Sequence, residues 1–208
     1  MKFAFDVDGV FFPYERNILP FVNNILGTSY TMVDFTDYRL HKVLKCSKRV
    51  ADDLVLKFVQ SPICDSLLPI DGAKETFVRL VEAGHELFII TARWNVSRHE
   101  RLARYLEKYL CGLFPPENIY FTADYQTGDQ PICKSELCQR LNIDCLVDDR
   151  DKYVLACAEQ GIHGILFQPD DYHWSHLPDD YSPLVQVAKD WKDVDDYLFV
   201  LERTMAGV

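Results

Sequence analysis

The amino-acid sequence predicts an α/β fold, with a doubly wound parallel sheet and a small helical segment inserted after the first strand. Short apolar runs recur along the chain, and each is followed at once by Asp, Thr or Gln-Pro. Patterns with helical spacing lie between most of these runs, as the crossovers of a parallel sheet require. The interval between the first two runs is far longer than one crossover needs, which indicates an insertion.

The apolar runs are typical of strands that are buried on both faces of a sheet. They lie at residues 3–5, 87–90, 119–121, 145–147 and 164–167. Beyond Gln168-Pro169 the tail contains an apolar stretch at 184–188 and a helical pattern around 194–204. We assign these tail segments no role.

Helices are predicted between the strands from start signals and apolar spacing. Asp71 can cap a helix that Gly84 ends, and Ser97 can cap a second helix. A third is expected at about 131–141, with a proline in its first turn, and a fourth at about 151–160. Strands and helices that alternate in this way favour a sheet covered on both faces.

Residues 13–69 form the long interval, and we expect a helical insertion there. Apolar residues at helical spacing occupy 18–26, and Ser47 can open another helix. The length of 208 residues is about one and a half times a typical domain of ~150, which suits one domain with an insertion. The predicted division is a core of residues 1–12 and 70–208 with a helical cap at 13–69.

Composition and charge exclude several classes of function. With a net charge of −10, the protein lacks the overall basic surface that binding to a nucleic-acid polymer requires. No apolar run is long enough to span a membrane, and a carboxylate interrupts the start of the chain before a signal peptide could form. The 7 cysteines, without a CxxC spacing, favour reduced thiols in a cytoplasmic protein. We expect a small soluble molecule as the partner.

Two carboxylates follow the first predicted strand, in Asp6-Val7-Asp8-Gly9. Ligands of open α/β sheets bind at the carboxyl ends of the strands. If the extended conformation continues, both side chains point the same way, so their repulsion requires a cation, and oxygen ligands suit Mg²⁺. Gly9 allows a sharp turn and a close approach to the backbone. A strand-end turn, with an aspartate bonding the local backbone, explains the motif equally well.

Further polar residues fall near the same predicted edge of the sheet. Thr91 ends the second strand, either as a hydroxyl donor or as a β-branched strand residue, and Arg93 is a candidate for a basic rim that binds phosphate or carboxylate. Lys134 could stabilise phosphate charge, although a solvated lysine is the commoner explanation. Asp148 and Asp149 follow the fourth strand and indicate metal binding, with helix capping as the alternative.

This ordered set of motifs resembles that of the haloacid dehalogenase superfamily, over roughly residues 2–168. The order is DxDG after strand one, Thr after strand two, Lys before strand four and Asp-Asp after strand four. The resemblance implies a Rossmann-like core, a nucleophilic Asp6, an acid/base Asp8, and a phosphate-binding Thr91 and Lys134. It also implies Mg²⁺ held by Asp6, Asp148 and the backbone carbonyl of Asp8, with Asp149 in support, and a cap of the type inserted after the first motif.

Within this superfamily, the chain looks most similar to the deoxyribonucleotidase-like branch, the 5′-nucleotidases of the cytosolic C type. The similarity rests on Phe-Thr-Asp-Tyr-Arg-Leu at 35–40, Leu-Pro-Ile-Asp-Gly-Ala at 68–73 and Val-Asp-Asp at 147–149. It implies a Mg²⁺-dependent phosphomonoester hydrolase that works through an aspartyl-phosphate, with a nucleoside monophosphate as the first candidate substrate.

Two other functions stay open at the level of the sequence. One is a non-catalytic phosphate- or metal-binding protein that keeps the fold. The other is a receiver-type phosphoacceptor domain, which also combines an acidic pocket with Thr and Lys. In receiver domains these groups follow a different order along the chain, and the insertion at 13–69 has no purpose there.

Overall fold

The computed structural model describes residues 1–93, 96–122, 132–205 and 207, and for residues 96–98 the backbone alone. Within these residues a 6-stranded, all-parallel sheet has the strand order β3-β2-β1-β4-β5-β6. Its strands are β1 (Lys2–Phe5), β2 (Glu86–Thr91), β3 (Ile119–Phe121), β4 (Cys145–Asp148), β5 (His163–Phe167) and β6 (Val185–Ala188). The order reverses between β1 and β4, which is where doubly wound sheets bind ligands.

The predicted α/β class and its strands are confirmed, with two differences at the edges of the sheet. Side chains alternate between two apolar cores in the central strands, as Phe3 and Phe5 on one face and Ala4 on the other illustrate. β3 is only half-buried, because it is an edge strand. β6, to which the sequence analysis gave no role, extends the sheet beyond β5 and forms the other edge.

Helices pack on both faces of the sheet. They are α1 (Tyr14–Leu26), α2 (Leu40–Val43), α3 (Lys48–Val59), α4 (Pro62–Ser66), α5 (Ala73–Glu82), α6 (Val96–Tyr109), α7 (Lys134–Leu141), α8 (Asp151–Ala158) and α9 (Trp191–Met205). The prediction that Asp71 caps α5 is wrong, because Gly72 is the capping residue and adopts a φ of 86°. The side chain of Ser97 and residue 131, both named in the helix predictions, lie outside the described residues.

Residues 13–69 are largely helical, as predicted. Ser47 caps α3, since its hydroxyl accepts a hydrogen bond from the Val50 backbone N at 3.3 Å. Buried residues of this segment, such as Ile18 and Phe58, belong to the same apolar core as Phe5. The division of the chain into a core and a cap stays a prediction. No described helix has the length and apolar character that crossing a membrane requires.

Candidate active site

Three buried carboxylates meet at the carboxyl ends of β1 and β4. Asp6 directly follows β1, Asp148 ends β4, and Asp149 comes next in the chain. One carboxylate oxygen of each lies within 4.8 Å of the others. The two strands are neighbours, and the Asp6 backbone N donates to the Val147 carbonyl at 2.9 Å, which sets Asp6 beside Asp148. The parallel register therefore accounts for this acidic cluster, Asp6, Asp148 and Asp149.

Lys134, the first residue of α7, supplies positive charge to this cluster. Its Nζ lies 2.9 Å from Asp6 Oδ1 and 2.6 Å from Asp148 Oδ2. The side chain is 1% exposed, so the solvated lysine considered from the sequence is excluded. Burial alone would lower the pKa of Lys134, but Asp148 and Asp6 together raise it above its usual value. The ammonium group is therefore a fixed charge in the site.

The acidic cluster is more negative than one lysine can balance. Burial raises the pKa of Asp148 to about 6, although Lys134 acts in the opposite direction. Burial also raises the pKa of Asp149 well above its usual value, and the charges of Asp148, Glu15 and Asp6 raise it further. Crowded carboxylate oxygens are the ligands that Mg²⁺ prefers, so the residues present fit a divalent cation.

Gly9 allows two carboxylates to lie against the loop after β1. Its φ is +77°, and a Cβ atom there would approach Asp149 Oδ2 to 2.9 Å and Glu15 Oε2 to 3.1 Å. Any side chain would thus meet both the backbone strain of a positive φ and a clash with these oxygens. A glycine at this position is required for the approach of Asp149 to the loop.

The Asp8 side chain faces Arg93 and is not part of the acidic cluster. Arg93 donates to both carboxylate oxygens of Asp8, from Nε at 3.1 Å and from Nη2 at 2.6 Å. β1 ends at Phe5 and the chain turns at Val7, whose carbonyl accepts from the backbone N of Val10, so Asp6 and Asp8 do not project together as a continued strand would place them. Asp8 and Arg93 form a bidentate ion pair beside the cluster.

Thr91 ends β2 and lines the same cleft as Asp6, Asp8 and Arg93. It is 1% exposed, and its backbone carbonyl accepts a hydrogen bond from the Thr122 backbone N at 2.9 Å. The structure therefore brings the predicted residues Asp6, Asp8, Thr91, Arg93, Lys134, Asp148 and Asp149 to one edge of the sheet. Their chemical roles stay predictions.

Trp174 and Ser175, which were not predicted as site residues, position Asp149 from a loop beyond β5. Trp174 Nε1 donates to Asp149 Oδ2 at 2.8 Å, and Ser175 Oγ donates to the Asp149 backbone carbonyl at 2.8 Å. Asp149 is therefore not the capping residue of α8, which is Arg150. A tryptophan in a loop rich in Pro and Asp was the available signal, because an indole in such a loop is commonly buried and needs an acceptor.

The cleft over these residues has a volume of about 460 Å³. Residues 13–69 form one of its walls, with Phe35 packed edge-to-face on Trp174 at 5.2 Å between ring centroids. The cations Arg39, Lys48 and Arg150 line the cleft above the acidic floor, and the Arg150 guanidinium lies 3.5 Å from the Tyr38 ring centroid. The cleft thus combines an acidic floor, cationic walls and an aromatic surface.

Comparison of folds identifies similar solved structures. A haloacid dehalogenase-like family hydrolase from Xanthomonas campestris aligns over 100% of this chain and 98% of its own, at 14% identity and a TM-score of 0.60. A HAD family hydrolase from Deinococcus radiodurans, solved with bound phosphate and sodium, covers 95% of this chain and 94% of its own, at 18% identity and a TM-score of 0.65. A haloacid dehalogenase-like hydrolase from Streptococcus pneumoniae covers 95% of this chain and 97% of its own, at 14% identity and a TM-score of 0.64.

The chain has the haloacid dehalogenase-like fold. The sequence matches no protein-family model and no curated protein. Identities of 14–18% with these structures establish the fold alone. The reaction that this haloacid dehalogenase-like fold supports depends on the residues at its own site.

Proposed function

We propose that this protein is a Mg²⁺-dependent phosphomonoesterase of the haloacid dehalogenase superfamily that acts through an aspartyl-phosphate. The observation that carries the proposal is the convergence of Asp6, Lys134 and the acidic cluster on the floor of one open cleft. A nucleophile, a fixed cation and a set of oxygen ligands within one site are the components that phosphoryl transfer requires.

In the first step, an oxygen of the Asp6 carboxylate attacks phosphorus, and the bond between phosphorus and the alcohol oxygen breaks. Asp8 gives its proton to the leaving oxygen. In the second step, Asp8 takes a proton from water, the water oxygen attacks the phosphorus, and the aspartyl bond breaks to release inorganic phosphate. Both side chains then return to their starting states. Splitting the displacement in this way replaces one high barrier with two lower ones.

Asp8 must be released from Arg93 before it can serve as the acid. The bidentate pair keeps the Asp8 carboxylate ionised, and only a protonated carboxyl can donate. An incoming phosphate dianion is a competing partner for the Arg93 guanidinium. We infer that substrate binding draws Arg93 away from Asp8, so that the same residue recognises phosphate and frees the acid.

Lys134 and Thr91 offset the negative charge on the transferring phosphoryl group. Lys134 is held by Asp6 and Asp148 and so needs little reorganisation when phosphate enters. Asp6, Asp148 and the backbone carbonyl of Asp8 would hold Mg²⁺, with Asp149 in support. The ion would supply additional stabilisation of phosphoryl charge.

The cleft fits a small organic phosphate, with a nucleoside monophosphate as the first candidate. Arg39, Lys48 and Arg150 provide positive charge above the floor, and the half-exposed Tyr38 offers a ring on which a base could stack. Membership of the deoxyribonucleotidase-like branch is part of this proposal. We expect the reaction to occur in the cytoplasm, because all of the cysteines are free thiols.

A turnover assay with Asp6→Asn tests the proposal. The wild-type protein should hydrolyse p-nitrophenyl phosphate and a subset of nucleoside monophosphates with Mg²⁺, and EDTA should remove this activity reversibly. Asp6→Asn should lose turnover by at least about a thousandfold, because the amide keeps the shape but not the nucleophilic charge. Asp53→Asn, at an exposed site on α3, is the matched control. A mutant kcat within about tenfold of the wild type would refute the nucleophile.

The same assay separates the enzyme from the non-catalytic alternative. A phosphate- or metal-binding protein without activity would bind Mg²⁺ and inorganic phosphate in calorimetry and would turn over none of the esters. Binding without turnover across a broad panel of phosphorylated metabolites would therefore overturn the proposed reaction and leave the site in place.

A further inference from the structure

A second cavity adjoins the cleft over the acidic cluster, which we call the catalytic cleft after the proposed function. The second cavity has a volume of about 210 Å³ and is lined by residues from the ends of α3 and α4, the loop after β1 and one face of α6. Tyr14 and Arg93 line both this cavity and the catalytic cleft. We call it the basic cavity, because Arg93, Arg101, Arg104 and Lys108 line it.

The charge of the basic cavity is opposite to that of the protein. Four cations and one carboxylate, Asp65, line it, whereas the whole chain carries a net charge of −10. Asp65 is already engaged, because its carboxylate pairs with Arg101 at 2.5 Å and its carbonyl accepts from Lys108 Nζ at 3.2 Å. No described residue forms a hydrogen bond or an ion pair with the Arg104 guanidinium. Positive charge is therefore available to a ligand.

The floor of the basic cavity is apolar and aromatic. Phe12 and Tyr105 contact each other edge-to-face, with 4.9 Å between ring centroids, and both are buried. The Tyr105 hydroxyl is buried and has no hydrogen-bond partner among the described residues. A buried donor without an acceptor is costly, so the hydroxyl adds an unsatisfied polar group to this apolar floor.

Neither a solvated helix face nor a reactive thiol accounts for this cavity. Arginines at i and i+3 on a helix commonly face water, but a solvated face does not enclose an aromatic floor and an unpaired buried hydroxyl. Cys64 also lines the cavity, but burial raises the pKa of its thiol to about 11, so the thiol is neutral and unreactive at pH 7. The residues that line the basic cavity are therefore suited to binding a ligand and not to catalysing a reaction.

We propose that the basic cavity binds an organic anion, with its carboxylate, sulfonate or phosphate on Arg104 and Lys108 and its apolar part against Phe12 and Tyr105. Such an anion is either the distal group of a long substrate or a separate molecule that acts on the enzyme. In both cases Arg93 connects the two cavities, because it lines both and holds Asp8. The binding itself does not depend on the proposed reaction.

The test measures binding of naphthalene-1-sulfonate to the full chain by calorimetry in a buffer without phosphate, because inorganic phosphate would compete for Arg104 and Lys108. The wild type should bind the sulfonate, and the neutral analogue 1-naphthalenemethanol should bind at least about tenfold more weakly. The double variant Arg104→Glu, Lys108→Glu should reduce sulfonate affinity at least about tenfold, because it replaces two cations with carboxylates. Both residues are exposed, so circular dichroism should show a wild-type fold. Lys74→Glu on α5 makes the same kind of charge change outside the cavity and should leave affinity within about twofold.

Equal affinity in the double variant and in Lys74→Glu, or equal affinity for the neutral analogue, would overturn the proposal, as would a wild type that does not bind the sulfonate. Turnover then distinguishes the two sources of the anion. If the cavity holds a distal group, the double variant raises KM for esters with a second anionic group and leaves p-nitrophenyl phosphate unchanged. If the anion is a separate molecule, added sulfonate changes the p-nitrophenyl phosphate rate in the wild type and not in the double variant.

Discussion

The catalytic cleft and the basic cavity share two lining residues, yet their charges are built in different ways. The floor of the cleft takes its carboxylates from the ends of neighbouring parallel strands, and these groups are almost completely buried. The basic cavity takes Arg101, Arg104 and Lys108 from one face of a single helix, α6, and two of these side chains are exposed. The carboxylates at the strand ends are held in fixed positions by burial, whereas the exposed cations on α6 can change their side-chain conformation in solvent.

The two arrangements also differ in their electrostatic contribution to the stability of the fold. Buried like charges oppose folding unless a cation compensates them, so the floor stores unfavourable electrostatic energy that a bound metal ion would relieve. Exposed cations on a helix cost little, because water screens them. The cleft is therefore expected to determine the reactivity and its pH dependence, and the basic cavity to contribute affinity for an organic anion.

The largest effect is expected from Asp8→Asn, which tests whether proton transfer belongs to the cleft. Turnover of nucleoside monophosphates should fall by about 10²–10⁴, the usual contribution of a positioned general acid and base. Esters with good leaving groups need little protonation, so the first step should suffer less with p-nitrophenyl phosphate. Phosphorylated Asp6 should then accumulate, because hydrolysis still lacks its base, and rapid quenching with mass spectrometry detects it.

The basic cavity provides the matched control for that experiment. Arg104→Glu should leave the kcat for p-nitrophenyl phosphate within about twofold, because the residue lies outside the catalytic cleft. Equal losses in Asp8→Asn for activated and unactivated esters, with no trapped intermediate, would contradict the acid/base role. DxDG would then be a structural turn.

An intermediate effect is expected from Asp149→Asn, in the metal-free protein. The amide oxygen can still accept from Trp174, while the buried negative charge is removed. The variant should be more stable than the wild type by about 1–3 kcal/mol at pH 7.5 in EDTA, and it should bind Mg²⁺ at least about tenfold more weakly. Urea unfolding and calorimetry measure the two quantities.

The sign of the pH dependence follows from the raised pKa values. A carboxyl whose pKa is higher in the folded than in the unfolded state holds its proton better when folded. Its stabilising contribution is complete below about pH 4 and is lost as the pH rises through the folded pKa. For Asp148, with a pKa of about 6, the loss falls between about pH 4 and 6. The stability of Asp149→Asn relative to the wild type should therefore increase as the pH rises. A variant more stable than the wild type only at acidic pH would show that the Asp149 charge does not destabilise the fold.

The smallest effect is expected from the ion pair between Arg101 and Asp65 at the basic cavity. Asp65 is 57% exposed, so a double-mutant cycle with Arg101→Gln and Asp65→Asn should give a coupling energy of only about 0.2–1 kcal/mol. In 0.5 M NaCl the coupling should largely disappear. A coupling above about 2 kcal/mol that persists in salt would show that this cavity, like the cleft, contains a rigid electrostatic framework.

The sequence predicts the cleft floor better than it predicts what surrounds it. Asp6 and Asp148 could be placed together because a parallel sheet aligns strand ends, and a local pattern reveals each strand. Trp174 could not be placed, since its bond to Asp149 joins a loop to a site 25 positions away. Periodicity describes neighbours along the chain and contains no information on such contacts.

The errors at the element level have similar causes. β6 is four residues long and only its end residues are buried, so it lacks the continuous apolar run of a central strand. Asp71 is a good capping residue by composition, but Gly72 adopts a positive φ and lies between it and α5. In both cases tertiary packing determined the local structure, the strand β6 and the cap of α5, where the local sequence was compatible with more than one conformation.

The hydrogen bond between Trp191 and Val10 has a consequence for how the protein folds during synthesis. The indole Nε1 of Trp191, at the start of α9, donates to the Val10 carbonyl at 3.0 Å and joins positions 181 residues apart. Synthesis proceeds from the amino terminus, so the loop after β1 leaves the ribosome well before Trp191 does. A nascent chain that ends before Trp191 already contains every motif residue, but its loop after β1 lacks this hydrogen bond.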